Sequence, residues 1–125
     1  MDLVKGQPYK TILEGVGVTG SDVDLVTQPI QPGQLMTMQW IAVIDVTTNA
    51  TRFHLLTGRL GQERIVYSSG ALTAGVSNTM PLLFYLTELE RLIVRYVGTT
   101  TGDVLQAVIM GEVGYHSEEK TSVET

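Results

Sequence analysis

Alternation of side-chain character over Leu35 to Val46 is the feature that most narrows what this chain can become. Met36, Met38, Trp40, Ala42 and Ile44 share one parity, and Thr37, Gln39, Ile41 and Val43 share the other. An extended strand turns the first set to one side and the second to the opposite side. The first half reads as half-buried, while Ile41-Ala42-Val43-Ile44 reads as covered on both faces. Trp40, inside the most apolar strand, is expected as a core anchor rather than as a platform for a ligand. Pro29 and Pro32-Gly33 precede this strand, where residues lacking an N–H or a side chain suit a turn or a sheet edge.

The same rhythm runs through the chain. Thirteen glycines punctuate segments rich in Val, Ile, Thr, Leu and Tyr, a composition that fits pleated, half-buried surfaces. Candidate strands fall at about 9–18, 23–30, 35–47, 51–60, 63–69, 80–87, 91–98 and 103–115. Beyond a turn at 47–51, Phe53 and Leu55 alternate with Arg52 and His54, which predicts a hairpin with the strand before it. Leu92, Val94 and Tyr96 alternate with Ile93, Arg95 and Val97, and the run 98–103 predicts a second hairpin with Val104 to Met110. A rival reading covers 80–97, where Leu82, Leu86, Leu89, Ile93 and Tyr96 also fall at helical spacing between Thr79-Met80-Pro81 and Gly98. The β-branched and aromatic residues Phe84, Tyr85, Ile93, Val94, Tyr96 and Val97 favour strands there, because they lose rotamer freedom in helices. The expected fold class is all-β, an antiparallel β-sandwich or jelly roll of about eight strands. An α+β fold with one helix near 80–97 is the alternative.

A chain of 125 residues, 43% apolar and 17% charged, suits a single packed core rather than a disordered polymer. Both ends differ from the middle, so the expected organisation is an N-terminal arm over 1–8, one β-sandwich domain over 9–116 and a flexible acidic tail over 117–125. The apolar stretch from Met80 to Leu86 contains Pro81 and falls far short of the ~20 residues a membrane span needs. The first residues lack a basic stretch followed by an apolar one, so no secretory leader is expected. With no cysteine there is no disulfide, no thiolate nucleophile and no zinc site built on sulfur. The net charge is -5, and Lys5, Lys10, Arg52, Arg59, Arg64, Arg91, Arg95 and Lys120 are scattered, so nucleic acid is not an expected partner.

Motifs that could carry chemistry are few. Gly15-Val16-Gly17-Val18-Thr19-Gly20 matches the glycine spacing of a dinucleotide-binding turn. That site needs a helix directly afterwards, yet residues 21–29 alternate and end in Pro29, so a glycine-rich strand and turn is the better account. Only His54 and His116 could serve a nucleophile, one on a strand face and the other at the edge of the tail, and no triad can be argued. Asp22 and Asp24 do not continue into a calcium loop, and Glu88, Glu90 and Glu112 read as polar turn or surface residues. No catalytic residue, cofactor or metal is expected. Asn49-Ala50-Thr51 fits a glycosylation acceptor but without a leader reads as a coincidence. Leu3 and Val4 in the arm, with Tyr9 and Tyr115 near the two ends, are the residues expected to contact a neighbour.

The runs Ile30 to Trp40 and Leu86 to Tyr96, followed by Thr101-Gly102-Asp103-Val104-Leu105, resemble small jelly-roll proteins of tailed bacteriophages, in particular head decoration or cement proteins. The likeness lies in strand rhythm and size over about residues 9 to 115 and rests on no diagnostic motif. It implies a homotrimer on the capsid exterior of the virion, made in the host cytoplasm, that binds the major capsid protein through an extended arm and the base of the jelly roll. Low charge and abundant apolar residues suit a sheet protein that buries a face on copies of itself. The competing expectation is a recognition module for a glycan or receptor. The loops 47–51, 70–78 and 98–103 contain no Trp or Tyr on which a sugar could stack, which weighs against a site there. An enzyme comes third.

Overall fold

The computed structural model describes residues 6–81 and 85–115, with the side chain of Tyr115 excepted. Nine strands are described: β1 (Gln7–Val16), β2 (Val23–Val26), β3 (Gln34–Asp45), β4 (Arg52–Gly58), β5 (Arg64–Ser68), β6 (Asn78–Pro81), β7 (Tyr85–Leu86), β8 (Arg91–Val97) and β9 (Val104–Tyr115). They form two antiparallel sheets, one ordered β1-β9-β3-β6 with β7 also paired to β3, the other ordered β2-β8-β4-β5. The expected strand at 80–87 is two short pieces, β6 and β7, both laid on β3. No helix forms over the described part of 80–97, where Leu89 adopts φ 69°, a left-handed conformation that no α-helix accommodates. Strand β1 begins at Gln7, inside the stretch expected as an arm. No helix among the described residues is long and apolar enough to cross a membrane.

Both expected hairpins are instead crossings between sheets. Strand β3 pairs with β9, β6 and β7, whereas β4 pairs with β8 and β5. The reason lies at Asp45. Its Oδ1 accepts the Thr48 N–H at 3.0 Å and its Oδ2 accepts the Ala50 N–H at 3.1 Å, so the N–H groups a hairpin ladder would use are taken by a carboxylate. The chain curls over the end of the sandwich, and the Thr51 N–H meets the Val97 carbonyl at 2.8 Å. Residues 98–103 are likewise stitched to the end of β1. Gly17 donates to the Asp103 carbonyl at 2.7 Å, Gly102 donates to the Gly17 carbonyl at 3.1 Å, and the Val18 N–H meets the Thr99 hydroxyl at 3.1 Å. Gly17 allows this approach because a Cβ there would lie 2.5 Å from the Thr100 carbonyl oxygen. The glycine motif is thus the end of a strand packed on a loop.

Inward residues of both sheets make one core: Met36, Met38, Ile41 and Val43 from β3, Phe53 and Leu55 from β4, Leu92, Val94 and Tyr96 from β8, and Leu105, Ala107 and Ile109 from β9. Tyr96 ties the layers together, its hydroxyl 2.7 Å from the Gln106 carbonyl and 3.1 Å from that of Ile44. Burial pushes its phenol pKa well above the usual value.

The parity of β3 changes partway along. Met38 stands opposite Gly111 and Trp40 opposite Met110, so Gln39 is an extra residue in the ladder, a β-bulge. Before the bulge the even-numbered Met36 and Met38 face inward, and after it the odd-numbered Ile41, Val43 and Asp45 do. Trp40, expected in the core, therefore lies outside with 43% of its surface exposed. Gly111 is what the bulge requires opposite it, since a Cβ there would sit 2.2 Å from the Thr37 carbonyl oxygen.

Candidate association surface

Exposed side chains of the β1-β9-β3-β6 sheet fall into rows fixed by its register. Lys10, Met110, Trp40 and Pro81 make one row, and Ile12, Val108, Ala42 and Thr79 the next. Glu14, Gln106 and Ile44 follow, then Val16 and Val104. Most of these positions are apolar although they face outward. Ile12 is 50% exposed, Val16 60%, Val104 43% and Met110 41%. From strand spacing and rise, the apolar rows cover on the order of 400 Å², within the range of the largest apolar patch a monomer carries, which is often a functional one. Tyr85, 65% exposed, adds an aromatic ring from β7, opposite Thr37.

The outer face of the other sheet sets polar pairs beside an apolar row, Val26, Ile93, Leu56 and Ile65, whose middle two members are buried. Asp24, Arg95, His54 and Ser68 form a row across β2, β8, β4 and β5. The Asp24 carboxylate accepts two hydrogen bonds from the Arg95 guanidinium, at 2.8 and 3.0 Å, and this bidentate pairing raises the arginine pKa further. His54 Nδ1 lies 2.6 Å from Ser68 Oγ. This serine and histidine do meet, but the residue opposite His54 on β8 is Arg95 rather than an orienting carboxylate. Nearer the other end of the sandwich Arg91 pairs with Glu63 at 2.7 Å, which holds that carboxyl below its usual pKa.

Beneath the turns at one end, Asp45 and Asp103 are buried together. Desolvation, followed by the hydrogen bond with Asp103, raises the Asp45 pKa. Burial pushes Asp103 the same way, yet hydrogen bonds from Asp45, Thr47 and Thr48 outweigh it and hold Asp103 below the usual carboxylate value. Thr48 Oγ1 donates to Asp103 Oδ2 at 2.6 Å, and Thr47 Oγ1 donates to Asp103 Oδ1. One proton between two carboxyls fits this geometry, and every contact serves the corner that carries β3 into β4.

Of the residues expected to meet a neighbour, Leu3 and Val4 lie outside the described residues, as does the expected tail over 117–125. Tyr9 packs half-buried against the core, and burial raises its pKa. Tyr115 ends β9 opposite Gln34. Glu90 accepts the Thr87 N–H and hydroxyl, Glu88 accepts the Gly33 N–H, and Asn49 Oδ1 accepts the Ala74 N–H, so these side chains hold turns. No group of three or more His, Asp or Glu able to hold a metal occurs among the described residues. The apolar face escaped sequence reading because the bulge reverses parity in mid-strand. Its available signal was the pair of adjacent bulky residues, Trp40 and Ile41, interrupting an alternation.

The strand order and the two interlocked sheets define a jelly-roll β-sandwich. No family model and no curated protein matches the sequence. Among solved structures, the chain is similar to the Drosophila NLP-core, at 14% identity over 87% of this chain and 98% of that one, with a TM-score of 0.45. It is also similar to a chain in the structure of infectious bursal disease virus Gt strain, at 14% identity over 88% of this chain but 31% of that one, with a TM-score of 0.47. A carbohydrate-binding module of the CBM4 kind matches at 11% identity over 89% of this chain and 84% of that one, with a TM-score of 0.33. At these values none of them carries a residue or a role to this chain.

Proposed function

We propose that this protein is a non-catalytic structural component of a viral particle, a capsid decoration protein that seats the outer face of its β1-β9-β3-β6 sheet on the shell protein and associates with its own copies. The observation that carries this reading is the exposed apolar set Ile12, Val16, Trp40, Val104 and Met110 spread over several rows of one sheet face, where the opposite sheet sets ion pairs and hydrogen bonds beside a single apolar row. Leaving such a face in water forgoes roughly 25 cal/mol for each Å² of apolar surface that a partner would cover. A flat sheet of this extent supplies about half of one partner's share of a standard interface, and the remainder comes from its rim or from further copies.

The test is co-sedimentation of the full chain with undecorated capsids from the same source. Wild-type protein should pellet with the shells, and the double variant Trp40→Ser/Met110→Ser should bind at least about tenfold more weakly. Its unfolding midpoint should fall, because more than half of each side chain is buried, while its circular dichroism stays that of the folded sandwich. Shells that ignore the wild-type protein, or bind the variant equally well, would refute the proposal.

A second reading has one observation in its favour: Trp40 and Tyr85 are exposed rings on the same sheet face, with Thr37 and Thr79 nearby for hydrogen bonding. Such a face can stack a sugar. Trp40 is the only tryptophan, so its fluorescence reports directly on this face. Saturable quenching by a soluble oligosaccharide, with no binding to shells, selects the glycan reading.

A further inference from the structure

Strand β1 is ten residues long and ends its sheet, with β9 on one side and no strand on the other among the described residues. The backbone polarity of that free edge follows from two contacts. Gly17 donates to the Asp103 carbonyl in continuation of the β1–β9 register, so odd-numbered residues of β1 direct their N–H and C=O groups at β9. Val46 donates to the Val104 carbonyl, which assigns even-numbered residues of β9 to β3 and agrees with this. The even-numbered residues of β1, namely Pro8, Lys10, Ile12, Glu14 and Val16, therefore offer their N–H and C=O groups to the open side, Pro8 its carbonyl only. Their side chains stand on the apolar outer face.

We propose that two copies of this protein join through their β1 edges, antiparallel about a two-fold axis at Ile12, so that the two β1-β9-β3-β6 sheets become one continuous sheet. The proposal rests on the self-association contained in the function above. It replaces the three-fold arrangement that the phage resemblance implies with a two-fold unit. Two features support this pairing, and the first of them sets its register. Lys10 of each copy falls opposite Glu14 of the other, and neither side chain has an ion pair among the described residues. A shift of two residues either way about the axis loses both pairs, and larger shifts set lysine against lysine or glutamate against glutamate. Finally, the inward residues Tyr9, Thr11, Leu13 and Gly15 are only half-buried, while Leu105, Ala107 and Ile109 of β9 and Met36, Met38, Ile41 and Val43 of β3 are fully buried, so a strand laid beside β1 covers what its own fold leaves open. Pro8 and Lys10 would blunt the edge against strangers. In this register Pro8 meets Val16, whose N–H it can accept, and Lys10 meets an opposite charge.

The experiment uses the full chain and measures dimer dissociation by analytical ultracentrifugation. Wild-type protein should dimerise. Lys10→Glu and Glu14→Lys, each alone, should weaken the dimer by about tenfold or more, because each places two like-charged pairs across the axis. An equimolar mixture of the two variants should recover association as a heterodimer, since both cross-strand pairs are then opposite in sign. Ile12→Pro should also give a folded monomer, because the lost N–H faces the open edge rather than β9. A monomeric wild type, single variants that associate as well as wild type, or a mixture that stays monomeric would each overturn the proposal. Shell binding is measured on the same charge variants. If they still pellet with shells while their dimerisation never depended on charge, the edge pairing fails and the function survives; a wild-type dimer that depends on both charges yet is ignored by the shells is the converse.

Discussion

The two outer faces of this sandwich obey one rule of alternation and differ in how much of each is polar. On β8 the residue standing outward beside the core residues Val94 and Tyr96 is Arg95, which is clasped by Asp24 and stands opposite His54. On β9 the outward residues between Leu105 and Gly111 are Gln106, Val108 and Met110, in rows with Ile12, Ala42 and Trp40. The inward parity of both strands is equally apolar, so the fold demands the same of each. What differs is the parity that folding leaves free. The proposed assembly gives a second surface to the sheet that keeps valine, methionine and tryptophan outside in several rows, where the other sheet confines its outward apolar residues largely to one.

The sharpest way to break this contrast is to remove the device that turns Trp40 out. Gly111→Ala drives a Cβ toward the Thr37 carbonyl oxygen, a backbone atom that cannot yield without disturbing β3. The expected cost is about 3 kcal/mol or more in urea unfolding. Trp40 emission in the folded variant should shift to the blue if the ladder re-registers and brings the indole inward. A loss below ~1 kcal/mol would show that the bulge does not depend on this glycine.

Much of the fold was legible in the sequence for a physical reason: period-two alternation and glycine punctuation are local, and they placed the strands within a few residues of where they lie. Pairing partners were not legible. Whether Phe53 lies beside Ile41 in one sheet or across from it in another depends on which N–H groups the Asp45 carboxylate takes, a matter of a six-residue corner. Asp45-Val46-Thr47-Thr48 is a turn signal in retrospect, because aspartate readily accepts N–H groups of residues just after it. The association face was hidden for a different reason, since one extra residue in β3 inverts the meaning of every position after it.

That corner supplies the second prediction, of intermediate size, because it keeps the two faces in separate sheets. Asp45→Asn sets an amide N–H₂ against a backbone N–H and should cost about 1–2 kcal/mol. Its pH dependence has a definite sign. A raised carboxyl pKa in the folded state means that the contribution of Asp45 is complete below its unfolded pKa and is lost as pH climbs through the folded value. The lowered pKa of Asp103 acts oppositely, its contribution being present above the unfolded value and lost as pH falls through the folded one. The pair therefore contributes most near the ordinary carboxylate value of about 4. The penalty for Asp45→Asn should be largest there and shrink toward neutral pH, as read from urea midpoints across that range. A penalty that grows toward neutrality would contradict the shared proton.

The smallest effect belongs to the polar face. Asp24→Ala removes a bidentate partner from Arg95, yet both side chains are about one-third exposed, 35% and 34%, so water takes over most of what is lost. A destabilisation of about 0.2–1 kcal/mol is expected, diminishing further when salt is raised. Dimerisation and shell binding should be untouched, because this face holds neither contact. That null outcome is what gives the contrast its meaning: if removing one charge from the β2-β8-β4-β5 face impaired assembly as much as Trp40→Ser/Met110→Ser did, the two faces would not differ in kind, and the apolar rows would have to be read as a tolerated accident of composition rather than as a surface made for contact.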